Sequence, residues 1–344
     1  MSGAECDPRR RRRRRSGVAS YPLRPRRPRL ASPTFGAMHK PLQERVALVT
    51  GASRGAGRGI AIELGAAGAT VYCTGRTSGR HRSEYNRPET IEETAELVTA
   101  AGGHGVPVRV DHSDVDAVGS LFEQIKAESG RLDILVNDIW GGDPFLGSFS
   151  TPFWEQDLST GIQVLHNAVD THIITSWFAA PVMVRQGSGL IVEMTDGEPE
   201  NYHDHLFYDL PKKSAMRLAV SYATELGPHG IVGVALSPGW LRSEAMLEGH
   251  GVTEDNWQDW YWNHQDEHPA EWLASETPRY TGRAVVALAT EREADRWNGK
   301  SVKTAQLAGE YGFTDVNGTT PGHGIYNWNY LTTTTPQRAD YRGS

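Results

Sequence analysis

The sequence predicts an α/β fold in which a doubly wound parallel sheet carries helices on both faces. Short apolar runs typical of buried strands alternate with helical patterns, and the first run leads directly into a glycine-rich turn. A chain of 344 residues with 38% hydrophobic content is long enough to bury one large core. These observations favour a single α/β domain over several small ones.

The first predicted unit is a strand over 45–50, a glycine turn and a helix over 59–64. Because glycine has no Cβ, the backbone of such a turn can approach an anion, and free N–H groups at the helix start point toward it. The sequence therefore predicts a cradle for the pyrophosphate of a dinucleotide, with a plain tight turn as the alternative. The residues predicted to form this cradle are Gly51, Ser53, Arg54, Gly55 and Gly57.

The second predicted strand, over 70–74, ends in Gly75 and Arg76. An acidic residue here would accept hydrogen bonds from an adenosine ribose and would repel a 2′-phosphate. Arg76 can instead pair with that phosphate, and Arg54 in the glycine turn is placed to help. We therefore predict NADP(H) in preference to NAD(H); the alternative is that both arginines are ordinary solvated loop residues.

The remaining elements continue the alternation of strand and helix that is typical of a parallel sheet with crossover helices. Further strands are predicted over 106–110, 132–136, 189–196, 231–236 and 300–303, and further helices over 89–100, 115–128, 163–184, 208–226 and 282–289.

Tyr208 and Lys212 are four residues apart, so on a helix they lie on the same face. A nearby ammonium stabilises tyrosinate, and Lys212 is therefore expected to lower the pKa of the phenol toward neutrality. Such a phenol can exchange the proton that reversible carbonyl reduction needs. The helix is predicted to begin near Tyr208, which would leave Pro211 in its first turn, where no hydrogen bond is lost.

The chain resembles the short-chain dehydrogenases/reductases from about Leu42 to Gly318. Five motifs in the family's order carry the resemblance: Thr50-Gly51-x-x-x-Gly55-x-Gly57, Val110-Asp111, Leu135-Val136-Asn137, Tyr208-x-x-x-Lys212 and Ser237-Pro238-Gly239. The resemblance implies one Rossmann-like domain, a nicotinamide cofactor and a homodimer or homotetramer. It also implies that Tyr208 is the general acid in reduction and the base in oxidation, with Lys212 holding the ribose hydroxyls.

The resemblance implies further roles in the first half of the chain. Asp111 would hydrogen-bond the adenine ring, although an acid at a strand end can also simply cap a turn. Asn137 keeps the family's residue after the fourth strand, whereas Trp140 replaces a small residue near the nicotinamide riboside and would reshape the pocket. Asn167 is the nearest candidate for the family's proton-relay asparagine, with His166 nearly as well placed and a surface polar role as the alternative.

The resemblance also implies that Pro238 and Gly239, after the sixth strand, bring the backbone to the nicotinamide amide. The hydroxyl of Ser243 would reach the carboxamide or a phosphate. Trp240 follows this turn directly and is predicted, with Trp140, to line the substrate pocket. A plain turn at Pro238 and Gly239 is the alternative.

The main departure from the family pattern lies at Thr195 and Asp196. The family has a serine about twelve or thirteen residues before the tyrosine, and its hydroxyl orients the substrate carbonyl; Asp196 stands twelve before Tyr208. An ionised carboxylate only accepts hydrogen bonds, so three interpretations stay open. Asp196 is protonated and donates as serine would, or is ionised and attracts an amine or iminium, or Thr195 supplies the hydroxyl. Direct participation of Asp196 is favoured over a mere turn cap.

Residues 244–280 are predicted to form a substrate lid, because this insertion is rich in large aromatic side chains. They suggest a bulky substrate, although the rings could equally pack on one another. His264 and His268 have the helical spacing of a metal pair, but no third ligand is evident and Pro269 follows, so no metal site is predicted. The aromatic residues are Trp257, Trp260, Tyr261, Trp262 and Trp272.

The ends of the chain differ in composition from the predicted domain, 38–318. Residues 1–37 carry eleven arginines and two acids, and we expect a disordered extension, with Met38 as the natural start. The rest of the chain then has a formal net charge of −16, which disfavours a nucleic-acid partner. Residues 319–344 are either a loose tail or an arm on a neighbouring subunit.

Composition also limits the environment of the protein. No apolar run reaches the roughly 18 residues of a membrane span, and two cysteines give neither a disulfide framework nor a cysteine metal site. A cytoplasmic location is therefore expected. Overall, the sequence predicts an NADP(H)-dependent oxidoreductase that interconverts a carbonyl and an alcohol on a bulky small molecule. The alternatives are a reductase of an imine or amine-bearing substrate selected by Asp196, and a non-catalytic NADP(H)-binding regulator.

Overall fold

The computed structural model describes residues 40–197, 199–265 and 270–341. Seven strands in these residues form one parallel sheet in the order β3-β2-β1-β4-β5-β6-β7, which confirms the predicted doubly wound topology. The strands are β1 Val46–Thr50, β2 Thr70–Gly75, β3 His104–Arg109, β4 Ile134–Asn137, β5 Gly189–Met194, β6 Ile231–Ser237 and β7 Ser301–Lys303. The strand order reverses between β1 and β4, where ligands bind in sheets of this type.

Helices cover both faces of this sheet. They are α1 Gly55–Ala66, α2 Ile91–Ala100, α3 Val115–Ser129, α4 Leu158–Leu165, α5 Thr171–Gln186, α6 Leu206–Leu226, α7 Glu244–Gly249, α8 Trp257–Asn263, α9 Pro278–Thr290, α10 Thr304–Tyr311 and α11 Trp328–Thr333. None of the helices in the described residues is long and apolar enough to cross a lipid bilayer.

The core lies on the two faces of the sheet because successive residues of a strand point to opposite sides. In β1, Val49 belongs to one apolar cluster together with Ile60 of α1. Its neighbour Leu48 belongs to a second cluster together with Phe122 of α3. All four of these side chains are buried. Both faces of the sheet are therefore covered, and the polar residues that follow the strands gather at its carboxyl edge.

Two helix predictions need correction. α6 begins at Leu206, so Pro211 lies inside the helix in its second turn rather than in the first. The carbonyl of Phe207, four residues earlier, therefore lacks the usual helical N–H partner. The helix predicted over 163–184 begins earlier as α4 and reaches α5 through a π-helical turn at His166–Asp170.

The insertion and the C-terminal segment together form a third apolar cluster. Buried Trp257, Tyr261 and Trp272 of the insertion pack with Tyr326, Leu331 and Tyr341. The described part of the C-terminal segment therefore packs on the insertion of its own chain, and a contact of this segment with a neighbouring subunit stays a prediction. The predictions for residues 1–37, for Met38 and for His268 fall outside the described residues.

Candidate active site

A cleft of about 360 Å³ opens over the carboxyl edge of the sheet. It extends from the glycine turn, residues 50–57, to the start of α6. The part of the cleft beside the start of α6 is called the catalytic end below. Most of the predicted site residues line it: Gly51, Ser53, Arg54, Gly55, Arg76, Asp111, Trp140, Asn167, Thr195, Tyr208, Lys212, Pro238 and Ser243. Gly57, Asn137, Asp196, Gly239 and Trp240 do not line the cleft.

The glycine turn has the shape that an anion site needs. Gly51 has a φ of +71°, and a Cβ there would lie 2.4 Å from the backbone oxygen of Asp138, so only glycine fits. The N–H of Gly55 donates a hydrogen bond to Oε2 of Glu244 over 2.8 Å. An anionic oxygen of the chain itself is therefore bound by this turn, and the turn fits the phosphates of a dinucleotide for the same reason.

Two arginines stand at the glycine-turn end of the cleft. Arg76 forms an ion pair of 2.6 Å with Glu84, and both side chains are partly exposed. The guanidinium of Arg54 lies 4.4 Å from the centre of the Tyr85 ring, a distance at which a cation is attracted to the ring face. Both arginines line the cleft, so they are available to a phosphate there.

Three other predicted cofactor residues make contacts within the chain. Asp111 accepts hydrogen bonds from the backbone N–H and the hydroxyl of Ser113, so it caps a turn, as the alternative interpretation stated. Asp111 also lines the cleft. Ser243 caps α7 through the N–H of Met246. Asn137 is buried at the end of β4 and donates to Glu193 of the neighbouring strand β5, so it links these two strands beneath the cleft.

Tyr208, Lys212 and Asp196 meet at the catalytic end. The hydroxyl of Tyr208 donates a 2.6 Å hydrogen bond to Oδ2 of Asp196. The Lys212 ammonium lies 5.4 Å from the centre of the Tyr208 ring, on the same helix face as predicted, and 4.2 Å from the centre of the Trp140 ring. Here Asp196 acts as a hydrogen-bond acceptor, whereas the family's serine would present a hydroxyl.

The electrostatics differ from the expectation of a lowered tyrosine pKa. Desolvation raises the pKa of Tyr208, and the charge and hydrogen bond of Asp196 raise it further, followed by the charges of Asp143 and Asp209. Desolvation also lowers the pKa of Lys212, against the carboxylates around it. The expectation is not met because the nearest charge to the phenol oxygen is the Asp196 carboxylate and not the ammonium.

Thr195 and Asn167 are both engaged within the chain. The hydroxyl of Thr195 donates to the backbone carbonyl of Lys212 over 2.7 Å, so its proton is already used. The side-chain amide of Asn167 donates to the carbonyl of Gly141 over 2.6 Å and accepts from Gln163. Asn167 lies in the π-helical turn and is buried, which contradicts the surface alternative.

A buried ion pair supports the floor of the catalytic end. Nδ1 of His172 lies 2.6 Å from Oε2 of Glu193, and its Nε2 lies 2.9 Å from the carbonyl of Ile139. Desolvation lowers the pKa of His172, but the charge and hydrogen bond of Glu193 outweigh it and the net pKa is raised. Nearby, desolvation raises the pKa of Asp138 to about 7, with Lys212 opposing.

The predicted substrate-pocket residues separate in the structure. Trp140 lines the cleft, and its indole N–H donates to Asp143. Trp240 instead packs against Trp272 and Trp328, with ring centres 5.9 and 6.0 Å away. The insertion tryptophans pack on one another, so they do not by themselves indicate a bulky substrate. No cluster of three or more potential metal ligands occurs among the described residues.

Sequence reasoning missed several residues of the site. Glu193 interrupts the apolar strand β5, and that acid at a buried position was an available signal. Glu244, which binds the glycine turn from 189 positions away, carried no local signal. His203 lies 3.9 Å from Asp196 and was hidden in a polar loop.

Comparisons with known proteins identify the family of the chain. The family model described as short chain dehydrogenase matches residues 45–250. Dehydrogenase/reductase SDR family member 1 of Mus musculus is 36% identical over 283 residues, which are 82% of this chain and 86% of the mouse protein. The Homo sapiens protein of the same name matches with the same identity and coverage.

Solved structures show the same fold. A short chain dehydrogenase from Mycobacterium thermoresistibile has a TM-score of 0.66 at 21% identity, covering 88% of this chain and 100% of that one. A metagenomic short-chain oxidoreductase in complex with NADP has a TM-score of 0.57 at 24% identity, covering 76% and 97%. The chain therefore belongs to the short-chain dehydrogenase/reductase family, the NAD(P)-binding oxidoreductases that act on the CH–OH/C=O pair.

Proposed function

We propose that the protein is an NADP(H)-dependent reductase or dehydrogenase of a carbonyl/alcohol pair on a small molecule, with Tyr208 as its proton donor. The observation that carries the proposal is that one continuous cleft joins an anion-binding glycine turn to the phenol of Tyr208. The preference for NADP(H) is supported by Arg54 and Arg76 at the glycine-turn end, where a 2′-phosphate would find positive charge.

Tyr208 and Lys212 have separate roles in the proposed reaction. When bound, the nicotinamide cofactor supplies hydride to the carbonyl carbon. Tyr208 donates its proton to the carbonyl oxygen in reduction and takes it back in oxidation. The ammonium of Lys212, held against the ring of Trp140, supplies the positive charge that stabilises tyrosinate and would hold the ribose hydroxyls.

Asp196 takes the position of the serine and, in this proposal, acts directly. Of the three sequence-based interpretations, the one that uses the Thr195 hydroxyl is the least favoured, because this hydroxyl already donates a hydrogen bond to the carbonyl of Lys212. Since Asp196 accepts a hydrogen bond from the Tyr208 hydroxyl, a substrate carbonyl must compete with this carboxylate for the phenol.

The basic experiment is steady-state oxidation of NADPH and NADH over a panel of aldehydes and ketones. We expect turnover with some carbonyls and a kcat/KM at least tenfold higher with NADPH, because phosphate pairing with two arginines is worth a few kcal/mol. Binding of NADPH without turnover of any carbonyl or imine would instead identify a non-catalytic NADP(H)-binding regulator.

A second candidate function is reduction of a cationic substrate, such as an amine-bearing ketone or an iminium. Asp196, Asp143 and Asp209 all add negative charge around Tyr208, which would attract a cation to the catalytic end. Asp196→Asn and Asp196→Ser should then lose more activity on an amine-bearing ketone than on its neutral analogue. Equal losses on both ketones would argue against charge selection.

We also propose a homodimer or homotetramer. On α5, Trp177 is 68% exposed, and it borders a groove formed with Phe122, Phe178 and Pro181. An exposed apolar surface of this kind is typical of a protein interface. Sedimentation velocity tests the proposal, and a monomer at micromolar concentration would contradict it.

A further inference from the structure

His203 lies beside the hydrogen bond that joins Tyr208 to Asp196. Its Nδ1 is 2.7 Å from Oδ1 of Asp209, and its backbone N–H donates to the same oxygen over 3.2 Å. One carboxylate thus fixes both the ring and the backbone of this histidine. The side chain is 19% exposed, so part of it is accessible to solvent.

The other ring nitrogen faces the catalytic end. Nε2 of His203 is 3.9 Å from Oδ2 of Asp196, the same oxygen that accepts the 2.6 Å hydrogen bond of Tyr208. The ring also stands edge-on to the Tyr208 ring, with centres 5.5 Å apart. Half-exposed Asp196 can close the remaining gap by rotation of its carboxylate.

The backbone leaves room for this ring. Gly197, directly after Asp196, has a φ of +74°, and a Cβ at that position would lie 2.3 Å from Nε2 of His203. Any other residue would displace the ring. The local conformation and the missing side chain at Gly197 therefore both permit the approach of His203 to Asp196.

We propose that His203, oriented by Asp209, delivers protons from solvent through Asp196 to Tyr208. This relay rests on the proposed function, because it re-protonates Tyr208 after Tyr208 has donated its proton to the substrate. Histidine suits this role because each ring nitrogen can carry a proton, so Nδ1 can stay bound to Asp209 while Nε2 passes its proton to Asp196. Asp209 acts as a positioning residue, since it fixes which ring nitrogen faces Asp196.

The protons balance for each carbonyl reduced. One proton leaves the Tyr208 hydroxyl for the substrate oxygen as hydride adds to the carbon, and tyrosinate remains. The proton on Nε2 of His203 then moves to Asp196, and from Asp196 to the phenolate. The neutral imidazole takes up one proton from water, so the net consumption is one solvent proton.

The other candidate for a relay is engaged elsewhere. The amide of Asn167 is bound to the carbonyl of Gly141 and to Gln163, as described above. The charged groups that face the proposed path are Asp196, Asp209, Lys213, Asp143 and Lys212; Lys213 lies 3.6 Å from Asp209. Among them, Asp196 is the group that touches the Tyr208 hydroxyl.

The kinetic test uses the full chain with NADPH and an active carbonyl, comparing wild type, His203→Ala and Asp209→Asn. We expect His203→Ala to lower kcat about tenfold while the KM values for NADPH and carbonyl stay within about twofold, because solvent replaces the relay only slowly. The effect of D2O on kcat should increase, and added imidazole should restore part of the rate. Asp209→Asn should lower kcat less.

The matched control is His229→Gln, which changes an exposed histidine beyond the far end of α6. It should leave kcat, the D2O effect and the response to imidazole unchanged. If wild type turns over carbonyls, and His203→Ala leaves kcat and the D2O effect as they are, the relay is overturned and the proposed function stands.

A second measurement does not depend on turnover. Nitrogen-15 NMR of the His203 ring in the unloaded protein should show Nε2 shifted by Asp196→Asn and Nδ1 shifted by Asp209→Asn. An Nε2 signal insensitive to Asp196→Asn would overturn the relay. Absence of turnover in wild type would count against the proposed function, and the NMR result would still decide whether His203 and Asp196 are coupled.

Discussion

The glycine-turn end and the catalytic end of the cleft are built from different chemical groups. At the glycine turn, backbone N–H groups and two arginines offer positive charge, and the conformation depends on glycine at position 51. At the catalytic end, carboxylates surround the phenol of Tyr208, and a buried ion pair between His172 and Glu193 holds the floor. Both ends keep motifs that carried the resemblance, and the catalytic end adds Asp196, which in the proposed function takes the position of the family's serine.

In the proposed function, this difference in charge would sort two ligands within one cleft. We expect a phosphate at the glycine-turn end and a neutral or cationic group at the catalytic end. Substitutions at the two ends should also change different properties of the protein. Changes at the glycine turn should alter cofactor affinity, whereas changes at the catalytic end should alter kcat or folding stability.

The largest expected effect is that of Tyr208→Phe. Removing the proposed proton donor should lower kcat about 10³-fold, or ~4 kcal/mol of transition-state stabilisation, while the Kd for NADPH changes less than about twofold. Steady-state kinetics and fluorescence titration measure the two quantities. The control is Tyr202→Phe, at an exposed tyrosine in the preceding loop, which should keep full activity. Activity retained in Tyr208→Phe would remove the phenol from the mechanism.

Breaking the buried pair should have the next largest effect. His172→Gln leaves Glu193 charged and buried, and should lower the free energy of unfolding by about 3 kcal/mol in urea titrations. His166→Gln, in the exposed pair of His166 with Asp170, should cost less than about 0.5 kcal/mol. An equal decrease in the free energy of unfolding for the two variants would mean that burial does not determine how much these pairs contribute to stability.

The same pair predicts a pH dependence. Because the folded-state pKa of His172 is raised, its contribution to stability is complete below the unfolded value of about 6.5 and is lost as pH rises through the folded pKa. The double variant His172→Gln/Glu193→Gln carries neither charge. The stability advantage of wild type over this variant should therefore shrink as pH is raised above about 6.5, and an advantage that grew would contradict the assignment.

At the glycine-turn end, Arg76→Asp should weaken NADPH relative to NADH by about 10²-fold, because a carboxylate repels a 2′-phosphate and accepts from ribose hydroxyls. The matched change is Glu84→Gln, which releases Arg76 from its ion pair and should shift preference modestly toward NADPH. Kd values for both cofactors measure the shifts. A preference unchanged in both variants would exclude Arg76 from phosphate recognition.

The smallest expected effect is that of Glu244→Gln. The Glu244 carboxylate occupies the N–H of Gly55 and so competes with a cofactor phosphate for the turn. Removing its charge should tighten NADPH binding about threefold, or ~0.6 kcal/mol, with kcat nearly unchanged. Weaker binding of NADPH in this variant would instead indicate that Glu244 supports the bound cofactor.

Local patterns predicted much of the fold and part of the site. The buried strands, the glycine turn and the shared face of Tyr208 and Lys212 follow from short-range spacing, which the sequence displays directly. The start of α6 was predicted near Tyr208 and lies at Leu206, because the second turn of α6 tolerates Pro211, whereas local rules place a proline in the first turn. The tryptophans of the insertion were ambiguous because rings that pack on one another look, in sequence, like rings that line a pocket.

By itself, the sequence determined the order of strands and helices along the chain, the glycine turn after the first strand and the position of Asp196 twelve residues before Tyr208. The tertiary structure decided which groups meet: Tyr208 with Asp196, His172 with Glu193, and Gly55 with Glu244. The physical reason is that pairing among buried polar groups depends on desolvation and on distances set by distant parts of the chain. Residues that are far apart in the sequence reach these distances only when the strands have assembled into the sheet and their carboxyl ends lie side by side.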